Sequence, residues 1–126
     1  MSEKKKVVLV ADDEEDIKAV IGMFLETQGY EVVTSYDGLD TLERAREIKP
    51  DVILMDIMMP VVDGIEATRQ LKASAETRDI PVIMLTAAAQ SEMVRKAMQA
   101  GAFDYISKPF EPEQVQEAIQ RSLTKK

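Results

Sequence analysis

The sequence predicts an α/β domain, an open parallel sheet with helices packed on both faces. Three observations predict it. Apolar runs alternate with amphipathic helical stretches five times along the chain. Val7-Val8-Leu9-Val10, Val52-Ile53-Leu54-Met55 and Pro81-Val82-Ile83-Met84-Leu85 are apolar throughout, as strands buried on both faces must be. The 126 residues hold one domain of five strand–helix units, whereas a closed barrel needs eight units and about twice the length. Right-handed crossovers then leave a doubly wound sheet as the natural topology.

The first strand, Val7 to Val10, runs into Asp12-Asp13-Glu14-Glu15-Asp16. Ile17, Val20, Ile21, Phe24 and Leu25 follow at helical spacing and form one stripe, and Gly29 ends that helix in the left-handed position. Val32-Val33-Thr34 is the second strand, closed by Asp37-Gly38. Leu39, Leu42, Ala45 and Ile48 mark a second helix, stopped by Pro50. The third strand runs into Asp56, and a loop with Met59-Pro60 and Asp63-Gly64 leads to a helix with Ile65, Thr68 and Leu71 on one face. Ala73 to Asp79 reads as a polar linker before the fourth strand, which ends at Thr86. Val94, Ala97 and Met98 mark a fourth helix, closed by Gly101. Phe103-Asp104-Tyr105-Ile106 is a short fifth strand, followed by Ser107-Lys108-Pro109. Glu111-Pro112 opens the last helix, with Val115, Ala118, Ile119 and Leu123 on its apolar face.

Composition narrows the function. At 45% apolar and 31% charged residues, the chain is too apolar for disorder. A net charge of −7 argues against generic attraction to nucleic acid. With no Cys and no His, there is no disulfide, no thiol nucleophile, no Ser-His catalysis and no Cys/His zinc site. Any metal must be held by oxygen, which selects magnesium, manganese or calcium. No segment approaches the roughly 20 apolar residues of a membrane span, and Ser2 to Lys6 leads into a strand without a signal-peptide core. The expectation is a cytoplasmic protein that touches neither membrane nor nucleic acid. Residues 1–126 are expected to form one domain with a core of about 6–123, with no output domain expected after Lys126.

Ligands of open parallel sheets bind at the carboxyl ends of the strands. Those ends carry Asp12 and Asp13, Asp56, Thr86 and Lys108. Three carboxylates outnumber one ammonium by two, so the pocket repels a phosphoryl donor until a divalent cation enters. Metal-assisted phosphoryl transfer to a carboxylate fits this set, with Lys108 and Thr86 holding phosphoryl oxygens. The five glycines make neither G-x-x-x-x-G-K-[ST] nor G-x-G-x-x-G, so the phosphoryl group must come from another protein or a small metabolite.

Asp12-Asp13, Asp56, Met59-Pro60 with Gly64, Thr86-Ala87 and Lys108-Pro109 together closely resemble the receiver domain of two-component response regulators, including stand-alone chemotaxis regulators. The resemblance implies a flavodoxin-like fold with strand order 2-1-3-4-5 and five helices. It implies a phosphorylation-dependent signalling switch that catalyses only its own phosphorylation and dephosphorylation. Asp56 would be the phosphoacceptor. Asp12, Asp13, Asp56 and the Met58 backbone carbonyl would hold Mg²⁺, with Asp12 through water as an alternative and Mn²⁺ as a substitute. Thr86, the Ala87 N–H and Lys108 would bind the phosphoryl group. Tyr105 would be the switch aromatic, and the bond before Pro109 would be cis. The donor would be a phosphohistidine of a sensor histidine kinase or histidine phosphotransfer protein. The readout would be the fourth helix, fifth strand and fifth helix, docking a downstream protein or, on phosphorylation, a second copy.

Taken singly, these residues have plainer readings. Asp12 and Asp13 could cap the first helix, Asp56 could start a turn, and Lys108 could lie on the surface. Tyr105 could simply pack on an edge strand. Glu14, Glu15 and Asp16 read as solvated first-turn residues. In the family that the chain resembles, the positions two after the phosphoacceptor and two after the threonine influence hydrolysis; here Met58 and Ala88 cannot hydrogen-bond an attacking water, so the resemblance implies slow hydrolysis of the phosphoaspartate. Three other functions compete with this one on the residues. A phosphatase or mutase would want an acid where Met58 stands, a flavin binder would want a glycine-rich loop where Asp12-Asp13 stand, and a phosphate-independent adaptor would not need all five key positions filled.

Overall fold

The structure is a computed structural model and describes residues 5–87 and 91–124. Ten elements alternate: β1 (Val7–Ala11), α1 (Glu15–Thr27), β2 (Glu31–Ser35), α2 (Gly38–Ile48), β3 (Val52–Asp56), α3 (Gly64–Ala73), β4 (Val82–Thr86), α4 (Ser91–Ala100), β5 (Asp104–Ser107) and α5 (Pro112–Thr124). All neighbouring strands pair in parallel, in the order β2-β1-β3-β4-β5.

The apolar runs build this sheet because each strand feeds two cores. Side chains alternate along a strand, so Val8, Val10, Leu54, Ile83 and Leu85 face one side and Leu9, Ile53, Met55, Val82 and Met84 the other. The first set packs with Ile21 and Leu25 of α1 and Val115, Ala118 and Ile119 of α5. The second packs with Leu42 and Ala45 of α2, Ile65 and Leu71 of α3 and Ala97 of α4. Truncating one such side chain, Leu54→Ala for example, would cost about 2–5 kcal/mol.

The structure departs from the sequence pattern in four places. β2 and β5 are each set differently, β2 reaching Ser35 and β5 beginning at Asp104, with Phe103 outside the ladder and its N–H on Val82 O. Val20, Leu39, Ile48 and Met98 continue the helical stripes yet stand exposed, because each lies at the margin of its stripe and the sheet is too narrow to cover it. Lys18 is buried instead, its ammonium 3.4 Å from the Ser35 carbonyl and 3.1 Å from Glu15 Oε2. The segment from Ala73 to Asp79 is a tied turn rather than a linker. Buried Thr77 donates to Leu71 O at 2.7 Å, and Lys72 Nζ donates to Arg78 O and Ile80 O at 2.9 and 2.6 Å.

Helix starts follow local chemistry. Asp37 caps α2 by accepting from Asp40 N, and Asp63 caps α3 by accepting from Glu66 N, each at 2.8 Å. α1 differs: Glu14 occupies the cap position without a side-chain cap bond. Gly29 has φ +94°, the left-handed turn its position after α1 requires.

Candidate functional site

Four strands deliver polar residues to one edge of the sheet. β1 ends at Ala11 and hands the chain to Asp12 and Asp13; β3 ends in Asp56; β4 ends in Thr86; Lys108 directly follows β5. One ligand oxygen from each of Asp12, Asp13 and Asp56 lies within 4.8 Å of the others. Asp12 and Asp56 are buried and Asp13 is exposed, so the cluster opens to solvent on the Asp13 side.

Backbone bonds hold these groups. Asp12 N donates to Ser35 O at 3.3 Å, and Asp12 Oδ1 accepts from Glu14 N at 2.9 Å. The caps that Asp12 and Asp13 were free to provide are therefore not made at the cap position; Asp12 spends one oxygen on the turn and turns the other toward Lys108. Asp56 Oδ1 accepts from Met58 N at 3.1 Å, which ties the start of the β3–α3 loop to the carboxylate. Gly64 closes that loop against β3. A Cβ there would stand 2.3 Å from the Asp56 carbonyl oxygen, so only glycine permits the approach.

Lys108 sits at the centre. Its ammonium has three donors. They meet Asp12 Oδ2 at 3.1 Å, Asp56 Oδ2 at 3.1 Å and Glu14 Oε1 at 3.2 Å. Its backbone N–H donates to Thr86 O at 2.7 Å, which fixes the loop after β5 to the end of β4, and the Lys108–Pro109 bond is cis. Burial disfavours the Lys108 charge, but hydrogen bonds and attraction from Asp12 and Asp56 outweigh it and hold the group above the usual lysine range. Burial pushes Asp12 above the usual carboxylate range; repulsion by Asp56 adds to this, while the Glu14 N–H and Lys108 work against it. That unrelieved charge, on an all-oxygen donor set of three carboxylates, fits a hard divalent cation such as Mg²⁺.

The remaining predicted residues lie around this centre. Thr86 is buried at the end of β4, and Ala87 is exposed just beyond it. Met58 is exposed at the mouth; Ala88 lies outside the described residues. Tyr105 stands on β5 opposite Met84, with 41% of its surface exposed. One residue was missed. The sequence pattern makes Glu14 a solvated first-turn acid; its side chain is 59% exposed, yet it pairs with Lys108, as Glu15 pairs with Lys18. The signal was its place directly behind Asp12-Asp13, where the turn into α1 keeps it at the sheet edge. Beside the site, Ile17, Val20, Ile21, Pro109 and Phe110 line an apolar groove of about 500 Å³ that ends at Ala87 and Lys108.

Known proteins resemble this chain along nearly its whole length. The family model of the response regulator receiver domain matches residues 8–120. The regulatory protein AtoC of Escherichia coli (strain K12) is 40% identical over 116 residues, which cover 92% of this chain and 25% of AtoC. The polar-differentiation response regulator DivK of Brucella anthropi is 41% identical over 119 residues, covering 94% of this chain and 96% of DivK. The chain thus spans a quarter of one curated relative and nearly all of another. Among solved structures, the receiver domain of sensor histidine kinase PA1611 from Pseudomonas aeruginosa PAO1 superimposes with a TM-score of 0.90 at 34% identity, covering 97% of this chain and 100% of that one. That structure has a magnesium ion coordinated in its active site cleft.

Proposed function

Because the chain belongs to the response regulator receiver domain family, the phosphoacceptor signalling domains of two-component systems, we propose that it takes a phosphoryl group onto Asp56 from a phosphohistidine protein and signals by changing its α4–β5–α5 surface. The observation that carries this reading is the meeting of Asp56 with Asp12, Asp13 and Lys108 at one sheet edge. In the reaction, one carboxylate oxygen of Asp56 forms a bond to phosphorus while the P–N bond to the donor imidazole breaks. The imidazole leaves with the electron pair. Asp12, Asp13, Asp56 and the Met58 carbonyl would hold Mg²⁺, or Mn²⁺ in its place. When bound, the ion supplies positive charge against the phosphoryl oxygens.

The chain's own residues do the rest. The Met58 N–H orients Asp56 through Oδ1. Lys108, already charged and aimed at Asp56 Oδ2, takes a phosphoryl oxygen. The Thr86 hydroxyl and Ala87 N–H donate to the others. Thr86 is linked to β5 through Lys108 N and through its register with Ser107, so a shift of Thr86 reaches Tyr105 two residues back. Helix α4 and β5 then offer a changed face to a downstream protein or a second copy. The apolar groove beside Lys108 suits a docking helix of the kinase or phosphotransfer protein, since any such donor must cover the mouth of the pocket. We assign the receiver unit itself to the cytoplasm, without nucleic-acid or membrane contact of its own; among the described residues no helix is long and apolar enough to cross a membrane.

Intact-mass spectrometry after acetyl phosphate or phosphoramidate tests the acceptor and the metal together. The expected result is one added phosphoryl group in Mg²⁺, none in excess chelator, and none for Asp56→Asn. Stoichiometric labelling of Asp56→Asn, or undiminished labelling in chelator, would overturn it.

A further inference from the structure

The contacts of Lys108 separate its three carboxylate partners by how easily each can leave. Asp12 is fully buried and Asp56 nearly so, whereas the Glu14 side chain is 59% exposed. All three ammonium donors are engaged, so Lys108 can bind a phosphoryl oxygen only by giving up a partner. A buried carboxylate that loses Lys108 is left unpaired at high cost, but Glu14 exchanges Lys108 for water at little cost. Glu14 also places a fourth negative charge at the solvent side of the pocket, on the path of an incoming donor. Even with a divalent ion bound, four carboxylates against Lys108 leave the entrance anionic.

We propose that Glu14 is the ligand of Lys108 that the phosphoryl group displaces, and that its carboxylate thereby selects phosphodonors by charge. The inference rests on Asp56 as the phosphoacceptor. It predicts that acetyl phosphate, a dianion at neutral pH, is held back more than phosphoramidate, which carries less negative charge. In both reactions the bond from phosphorus to the leaving group breaks and a bond to an Asp56 carboxylate oxygen forms. Acetate departs with its electron pair in the first and ammonia, after protonation, in the second. A protein-borne phosphohistidine that covers the mouth displaces Glu14 by contact and escapes this barrier.

The test compares labelling rates of the full chain in saturating Mg²⁺ for wild type, Glu14→Gln, Glu14→Asp and Asp16→Asn, each with both donors. Asp16 is an exposed acid on the same turn; it lines the groove beside Lys108, but the Lys108 ammonium pairs with Asp12, Asp56 and Glu14 instead. Removing one charge from the solvent-facing side of the pocket should speed acetyl phosphate labelling about three- to tenfold. The ratio of acetyl phosphate to phosphoramidate rates should rise at least about twofold, and the gain should shrink as salt is raised from about 0.01 to 0.5 M. Glu14→Asp should restore the wild-type ratio, and Asp16→Asn should leave it unchanged. A Glu14→Gln ratio equal to wild type, equal changes in Glu14→Gln and Asp16→Asn, or a gain indifferent to salt would each overturn the proposal while leaving Asp56 as acceptor. Failure of wild type to label with either donor would overturn the acceptor reading, and this inference with it.

Discussion

Asp12 shows how a single residue carries the cost of this site. Its carboxyl is fully buried beside Asp56, and its pKa is raised above 3.8, by burial first and by Asp56 second. A carboxyl whose folded pKa exceeds its unfolded value binds protons more tightly when folded. Its stabilising contribution is complete below pH 3.8 and is lost as pH rises through the folded value. At neutral pH the metal-free protein therefore bears a penalty that a bound divalent ion would offset. Asp12→Asn should raise the melting temperature of the metal-free protein at pH 7, and should abolish the further rise expected of wild type on adding Mg²⁺. At one hundred times its Kd the ion would add about 2.7 kcal/mol to wild type. A variant less stable than wild type at pH 7, or one that keeps the full Mg²⁺ response, would contradict this. The acid itself was plain in the sequence, since a doubled Asp behind an apolar strand is a strong pattern. Its burial was not, because burial depends on β2, whose Ser35 carbonyl meets Asp12 N from across the sheet.

Among the elements, the β3–α3 loop concentrates the local strain. It leaves β3 at Asp56, bonds back to that carboxylate at Met58 and returns under Gly64 N, which donates to Ile57 O at 2.8 Å. Val61 lies within it at φ +70°, in the left-handed region that a β-branched residue rarely enters, and 73% of it is exposed. Nothing in the described packing rewards that side chain. Val61→Gly should stabilise the fold by about 1 kcal/mol, read from the urea midpoint, because the Val62 N–H bonds to Pro60 O in a tight turn whose positive φ only a residue without Cβ adopts freely. An unchanged or lowered midpoint would mean that Val61 is not strained there. The sequence announced this loop through Met59-Pro60 and Asp63-Gly64, and Asp63 caps α3 as such a motif should. It did not announce that Val61 takes the left-handed turn, since valine is the wrong residue for one.

At the scale of the whole molecule, the two faces of the sheet have different tasks. The α2–α3–α4 face and the α1–α5 face each bury a continuous core. The α1 side also keeps a groove open, with Val20 and Met23 of α1 exposed at 59% and 69%. An apolar rim beside a charged pocket suits a protein donor, whereas small donors need only the pocket. Val20→Glu should lower the ratio of transfer from a phosphohistidine protein to labelling by acetyl phosphate about tenfold, the loss typical of one well-placed interface side chain. An unchanged ratio measured by phosphotransfer gels would remove α1 from the docking surface.

From the sequence alone came the five strand–helix units, the parallel sheet and the five polar positions at strand ends. These are local signals, because periodicity, strand-terminal acids and Asp or Gly at turns act within a few residues. Only the tertiary structure decided which stripe residues the sheet covers, that Lys18 is buried and Val20 is not, and that Glu14 completes the coordination of Lys108 from 94 positions away. Such choices depend on how far a finite sheet extends and on which side chains long crossovers bring face to face, and no window of neighbouring residues contains that geometry.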